Sequence, residues 1–534
     1  MIDSGDLEAL LESNDPEERR RATSELYVRS SDAPLSTCGL VLKALADEDW
    51  RVRKEAIATA FALAPSRELL EELVRALQPG ENVGLRNAAV EALGGFGVHA
   101  VVALDFALVN LDADGRKLAV EALGRVGHEL ALPVLARMAL DPDANVRVAA
   151  VEAAADLGRA GVSEAIQALE GHLASPEPML KLAALNGLNS LGVAVPFETV
   201  SELLGEPILR RAALLAAGRA RHPDAIEPVL DALSRASGAF FVELTCAIAE
   251  LSRERPLVNA IRQNAGRLSP KATQRILDIC ADEAAFDDAR RAAMIAAAAL
   301  GLEGAAEFAI ETIGDDRFLG EAQEMLELLG ELAVPRLVHA IQQGSLPERA
   351  SCLSMLGRIA GNTQRSLVVG TALESLEDEL PDVQREALGI IARCGSAEIL
   401  VPLSRSLEDP GSLSTLRPRE VALSALAERY PAEARALIDA ADPGDPSAHA
   451  ACVLIAALPP EDSSHERYQL FLSSAVGNAA AATRRAALEA MLRVSSANLL
   501  SALSFAVTDE ADEVRSMAVS ALGRLRDATG RAPG

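Results

Sequence analysis

Apolar positions recur along this chain at the spacing of one helix face after another. In Leu140–Gly158, LDPDANVRVAAVEAAADLG, residues Val146, Ala149, Ala150, Ala153, Ala154 and Leu157 fall at i, i+3, i+4, i+7, i+8 and i+11, the stripe of an α-helix. Val148, Val151 and Ala155 add a second apolar face. A helix that is apolar on two faces has to be packed from both sides. The turn Asp141-Pro142-Asp143 leads into it: proline fixes its own φ, and a carboxylate can accept from the free amides of the first helical turn. Either aspartate can be that cap. Gly158 stands where a helix end favours positive φ.

The same phrase is rewritten along the whole chain. It recurs around Arg53, Arg86, Arg116, Arg147, Lys181 and Arg210, and again around Arg385, Arg419, Arg484 and Arg515. The marked basic positions stand about 29 to 34 residues apart, which is one helical pair per unit, and roughly 16 units fit the chain. Between them lie partner helices with a proline, such as His128–Leu140 and Ser396–Asp409, where Pro133 and Pro402 are expected to bend the helix. The pattern divides the chain into an N-terminal repeat array over 1–234, degenerate helical repeats over 235–288, a C-terminal array over 289–526 and a disordered tail over 527–534. Stretches 409–418, 442–447 and 459–464 have the composition of loops.

Composition narrows the picture. Hydrophobic residues make up 49% of the 534 but aromatic residues only 3%, so alanine and leucine carry the burial, as suits closely approaching helices. Strand formers never cluster in alternation, which predicts no sheet. A net charge of −27 opposes binding to nucleic acid and to anionic membrane surfaces. No apolar run reaches the roughly 18 to 20 residues of a membrane span, and the start, MIDSGDLEALLES, lacks the layout of a secretory signal. The six cysteines, Cys38, Cys246, Cys280, Cys352, Cys394 and Cys452, are scattered without a CxxC pair and read as small buried hydrophobes in a reducing compartment. The expected location is cytoplasmic.

Asp141, Val146-Arg147, Ala149-Ala150 and Leu157-Gly158, repeated as Asp509, Val514-Arg515, Ala518 and Leu522-Gly523, resemble HEAT repeats, particularly the bacterial, lyase-like type. The resemblance implies an all-α, right-handed α-solenoid of stacked HEAT-like helix pairs. It also implies that the recurring arginines (Arg53, Arg86, Arg116, Arg147, Arg210, Arg385, Arg515) pair with turn aspartates of their own or a neighbouring unit. The second helices would line the concave face.

A less expected column follows from the spacing. Five residues after three consecutive marked arginines stand Glu91, Glu121 and Glu152, and Glu489 repeats the arrangement downstream. Lys117 and Arg125 flank Glu121 at i−4 and i+4 and can neutralise it; Glu91 and Glu152 have no such pair. The three form a candidate docking stripe for a basic protein surface, against the alternative of a solvated face. Phe240-Phe241, the one adjacent aromatic pair, reads as core, and Trp50 as packing over a helix start.

Enzyme chemistry finds no support. The seven histidines are dispersed, and no P-loop, GxSxG or zinc spacing occurs. The expectation is a non-enzymatic protein–protein scaffold with no catalytic residues, cofactor or metal, binding proteins and neither nucleic acid nor membrane. The alternative is an enzyme-accessory or lyase-like protein handling a cofactor on a partner.

Overall fold

The computed structural model describes residues 4–29, 34–63, 65–78, 82–343, 348–408 and 413–529. Among these the chain is all-α with no strand, and it divides into two compact units, Met1–Gln274 and Arg275–Gly534. Each is a right-handed stack of helix pairs. In the first unit the second helices of successive pairs pack side by side in chain order: Pro16–Arg29, Trp50–Ala62, Val83–Gly94, Ala113–Val126, Ala144–Arg159, Pro178–Ser190, Arg210–Ala220 and Gly238–Ser252. In the second unit the layer runs from Asp287–Leu300 through Pro381–Cys394, Leu413–Arg429, Ala448–Ala457 and Ala481–Arg493 to Asp512–Thr529.

The helix Ala144–Arg159 shows why the layers are thin. Val146 and Leu157 are fully buried, as are both alanine pairs, while Val151 and Ala155 are buried on the second face. The helices before and after it in the layer supply the two partners. The two aspartates of its turn divide their roles. Asp143 is the cap, accepting from the amides of Asn145 at 2.8 Å and Val146 at 3.3 Å. Asp141 is buried and accepts instead from the amide of Asp143 and from Arg116 of the preceding unit.

Several expectations are corrected. Gly158 does not end its helix in the left-handed region. It is helical, and a Cβ there would lie 2.7 Å from Leu191 Cδ1, the movable tip of a side chain; Gly161 takes the positive φ, at 97°. Pro133 and Pro402 bend no helix interior. Each lies in the first turn of its α-helix, Leu132–Met138 and Leu400–Arg405, after a 3-10 turn, where a missing N–H has no intrahelical acceptor to lose. The expected loop over 409–418 is helical from Leu413, with Pro418 inside Leu413–Arg429. Residues 409–412 lie outside the described residues. Of the loop expected over 459–464, Pro460–Ser463 forms one helical turn. Trp50 opens its helix 63% exposed, so it is mostly in solvent, and Asp49 is the cap. Of the disordered tail expected over 527–534, the first three residues continue the helix Asp512–Thr529, and 530–534 lie outside the described residues.

The cysteines are all free, with Cys38, Cys280, Cys352 and Cys452 buried and Cys246 and Cys394 half-buried. Burial pushes the Cys280 thiol up to about 12 and Cys352 to about 11, so both are protonated and unreactive at neutral pH.

Candidate protein-binding surface

A ladder of cations and carboxylates ties successive units together. In its full form an arginine near the start of a second helix donates Nη1 to a backbone carbonyl of its own turn, five or six residues back. Its Nε or Nη2 meets a carboxylate of the next turn. Arg19 bonds the Ser13 carbonyl at 2.8 Å and Asp47 at 2.7 Å; Arg116 bonds Leu111 and Asp141; Arg484 bonds Asn478 and Asp509. Arg147 bonds the carbonyl of Asp141 at 2.8 Å and reaches Glu177 at 2.7 Å. Lys181 continues to Glu206 at 2.7 Å. The expected pairing with turn aspartates of the same or a neighbouring unit therefore holds at Arg116, with Asp141, and at Arg385 and Arg515, with Asp382 and Asp512 of their own turns. Arg147 meets a glutamate, Glu177, instead. Arg53, Arg86 and Arg210 differ: they bond backbone carbonyls.

The glutamate column lies on three consecutively packed helices of the first unit, Val83–Gly94, Ala113–Val126 and Ala144–Arg159. Glu91 and Glu152 are exposed and Glu121 is half-buried. Lys117 Nζ is 3.5 Å from Glu121 Oε1; Arg125 is not paired with it. Glu152 sits beside a cleft of about 360 Å³ lined also by Lys117, Val148 and Glu177. Partial desolvation in that recess, with the charges of Glu121 and Asp156 adding to it and Lys117 opposing, raises its pKa above the usual glutamate value.

Glu489 does not belong with these three. It is bound by Arg417 Nη1 at 2.6 Å and by Arg485 at 3.4 Å, inside a cluster that sequence reasoning missed. There the buried Glu420 accepts from His449 Nε2 at 2.7 Å, Arg485 at 2.5 Å and Arg417 at 2.9 Å. Burial would raise the Glu420 pKa, but the His449 bond and the two guanidinium charges outweigh it and hold the pKa below the usual range. The cluster joins helices two units apart, since Arg417 and Glu489 are 72 residues distant in sequence. The helix between them, AHAACVLIAA, is half alanine, and the long side chains of Arg417, Arg485 and Glu489 meet beyond it. The arrangement is a clamp on three successive helices, flanked by a cleft of about 420 Å³. His449 was one of seven scattered histidines in the sequence, and only the stacking gives it a carboxylate.

The first-helix layer carries an apolar groove of about 800 Å³ between Arg67–Arg75 and Val98–Ala107, walled by Val102 and Phe106. Phe241 is core while Phe240 is half-exposed, so the pair expected to be buried together is split. Among the described residues no group of three or more His, Cys, Asp or Glu side chains could hold a metal ion, and no helix is long and apolar enough to cross a membrane.

Residues 102–189 match the family model for HEAT repeats. No curated protein matches the chain. Among solved structures it is similar to yeast importin-beta, Kap95p, at 14% identity over 98% of this chain and 83% of that one, with a TM-score of 0.36. Importin beta in an ammonium sulfate condition matches at 15% identity over 92% and 74%, TM-score 0.37. A structure concerned with a phosphorylation switch between cadherin and beta-catenin matches at 17% identity over 99% and 100%, TM-score 0.31.

Proposed function

We propose that this chain, a HEAT-like solenoid, is a non-enzymatic protein–protein interaction scaffold, and that Glu91, Glu121 and Glu152 form a docking stripe for a basic surface of its partner. The observation that supports this reading is the row itself: three carboxylates on successive helices, two of them exposed, with Lys117 the one ion-pair partner found for them among the described residues. The raised pKa of Glu152 means that its charge is less well stabilised there than on a fully solvated glutamate. A lysine or arginine brought by a partner would relieve that cost.

Contacts spread over several units of a regular stack would give such a scaffold affinity by summing weak sites held in fixed geometry. The resemblance to bacterial HEAT-like proteins suggests the organising of a signalling or assembly complex. The test is recovery of partners from source-cell extract with the Glu91→Lys/Glu152→Lys protein against the parent. The expected result is loss of at least one specifically retained protein, in a salt-sensitive manner. Identical recovery by the two proteins would remove the stripe from the reading. Retention on heparin is expected to be absent.

A further inference from the structure

The ladder stops at Arg210, and the way it stops leaves a cationic site open. From Arg116 onward each turn carboxylate meets the cation of the unit before: Asp141 with Arg116, Glu177 with Arg147, Glu206 with Lys181. Arg210 keeps the first half of the pattern, donating Nε to the Leu204 carbonyl six residues back at 3.2 Å. The next turn would have to supply its carboxylate, but residues 235–240 read RASGAF and contain no acid. Arg86 also lacks a carboxylate, yet its next turn carries Asp112, which is spent capping the Gly115 amide. At Arg210 the acid is missing altogether, and a second cation, Arg235, stands in the turn.

These residues line one cleft of about 680 Å³ within the first unit, together with Arg211, Pro207, Pro228 and Phe240. Arg210 and Arg235 are both exposed, and neither has a carboxylate partner. The acids nearby are engaged elsewhere. Glu243 holds Arg211 Nη2 at 2.9 Å, which leaves the Arg211 guanidinium 4.7 Å from the Phe240 ring centroid. Asp231, in the cleft wall, is 3.2 Å from Arg267. Ser237, which opens the helix Gly238–Ser252, makes no side-chain cap, so the amides of that first turn add positive potential to the same recess.

We propose that this cleft binds a short acidic peptide segment of a partner protein. An Asp or Glu side chain would take the place between Arg210 and Arg235 that Asp141 and Asp509 take in their own units, and an adjacent apolar residue would lie on Phe240 and the two prolines. The molecule itself supplies the template, since the segment that fills the equivalent position elsewhere is an Asp-Pro-Asp turn, Asp141-Pro142-Asp143. Charge decides against a polyanion. At physiological salt the field of the two arginines is screened within about 8 Å, and a nucleic-acid strand would extend beyond it onto a protein of net charge −27. A segment with one or two carboxylates stays within reach. This surface has the opposite charge to the glutamate stripe and does not rest on it.

The test uses the full-length protein and a fluorescein-labelled peptide containing the sequence Leu-Asp-Pro-Asp, followed by anisotropy at low salt. Saturable binding is expected. It should weaken about tenfold or more in the Arg210→Gln/Arg235→Gln protein, whose fold is checked by circular dichroism, and equally with a Leu-Asn-Pro-Asn peptide. The Glu91→Lys/Glu152→Lys protein should bind the peptide as the parent does, which separates this site from the stripe. The proposal is overturned if the parent does not bind, if the double arginine variant binds as the parent does, or if the Asn peptide binds equally well. It is also overturned if inorganic phosphate or a single-stranded oligonucleotide binds through the same arginines more tightly than the peptide.

Discussion

Asp141 and Asp143 are two residues apart and chemically identical, yet they hold different bonds. Asp143 faces solvent at a helix start and satisfies free amides. Asp141 is buried, and its carboxylate closes the ladder from Arg116 through bonds of 2.7 and 2.9 Å. Its own burial would raise its pKa, but the Arg116 bond, the Asp143 amide and the charge of Arg147 lower it overall. Asp141→Asn is therefore expected to cost about 2–3 kcal/mol, as for a hydrogen bond to a charged group, and Asp143→Ala about 1 kcal/mol, as for a lost cap. The two costs should also respond differently to acid. Because the folded pKa of Asp141 lies below its unfolded value, its contribution is fully present above the ordinary carboxylate range and is lost as pH falls through the folded value. Urea unfolding at neutral pH and again below about pH 4 should show the Asp141→Asn deficit shrinking in acid. A deficit that stays constant with pH would mean the carboxylate charge carries none of it. Sequence reasoning left the two aspartates interchangeable because both lie within reach of the helix start. What separates them is Arg116, 25 residues away, and only the stacking brings it there.

At the level of the helix, periodicity was enough to place most elements, because a two-faced apolar stripe has few other solutions. The errors came where one residue type serves two physical purposes. A glycine before a turn reads as a helix end because it tolerates positive φ, but Gly158 is helical and lies against the Leu191 side chain. Close approach is sharper at Gly218, in the last turn of Arg210–Ala220, where a Cβ would lie 2.6 Å from Ala247 Cβ and 2.7 Å from Ala247 Cα. Two effects compete in Gly218→Ala. Helix propensity alone favours alanine by about 1 kcal/mol. The contact is with the fixed part of the neighbouring residue, with no flexible tip to swing aside, so the helices have to separate, at about 1–3 kcal/mol for overpacking. The steric term should win, lowering the thermal midpoint of the variant. A midpoint equal to or above the parent's would show that these two helices can slide apart freely. Pro133 and Pro402 teach the same lesson, since a proline in an apolar run reads equally as a kink or as a first-turn residue until the helix start is fixed.

On the scale of a whole stack, what the sequence conceals is contact between distant units. The fold class needed only the repeat, but the Glu420–His449–Arg485 clamp depends on which side chains point the same way after two further units have been added. Elsewhere in the second-helix layer the chief packing is between neighbours in chain order, and that fixes how damage should spread. Val146 is fully buried in a helix packed between Ala113–Val126 and Pro178–Ser190, so Val146→Asp puts a carboxylate in place of a buried apolar side chain, at a cost of several kcal/mol. In a stack whose stability is a sum of unit and interface terms, that cost should be felt locally. Hydrogen exchange of the variant should lose protection in Ala144–Arg159 and its two neighbours first, while Pro16–Arg29, four helices earlier in the same layer, keeps most of its own. Loss of protection to the same extent throughout Met1–Gln274 would instead make that unit a single cooperative block. A docking surface built on the unit would then have to order as a whole before any one of its sites could bind.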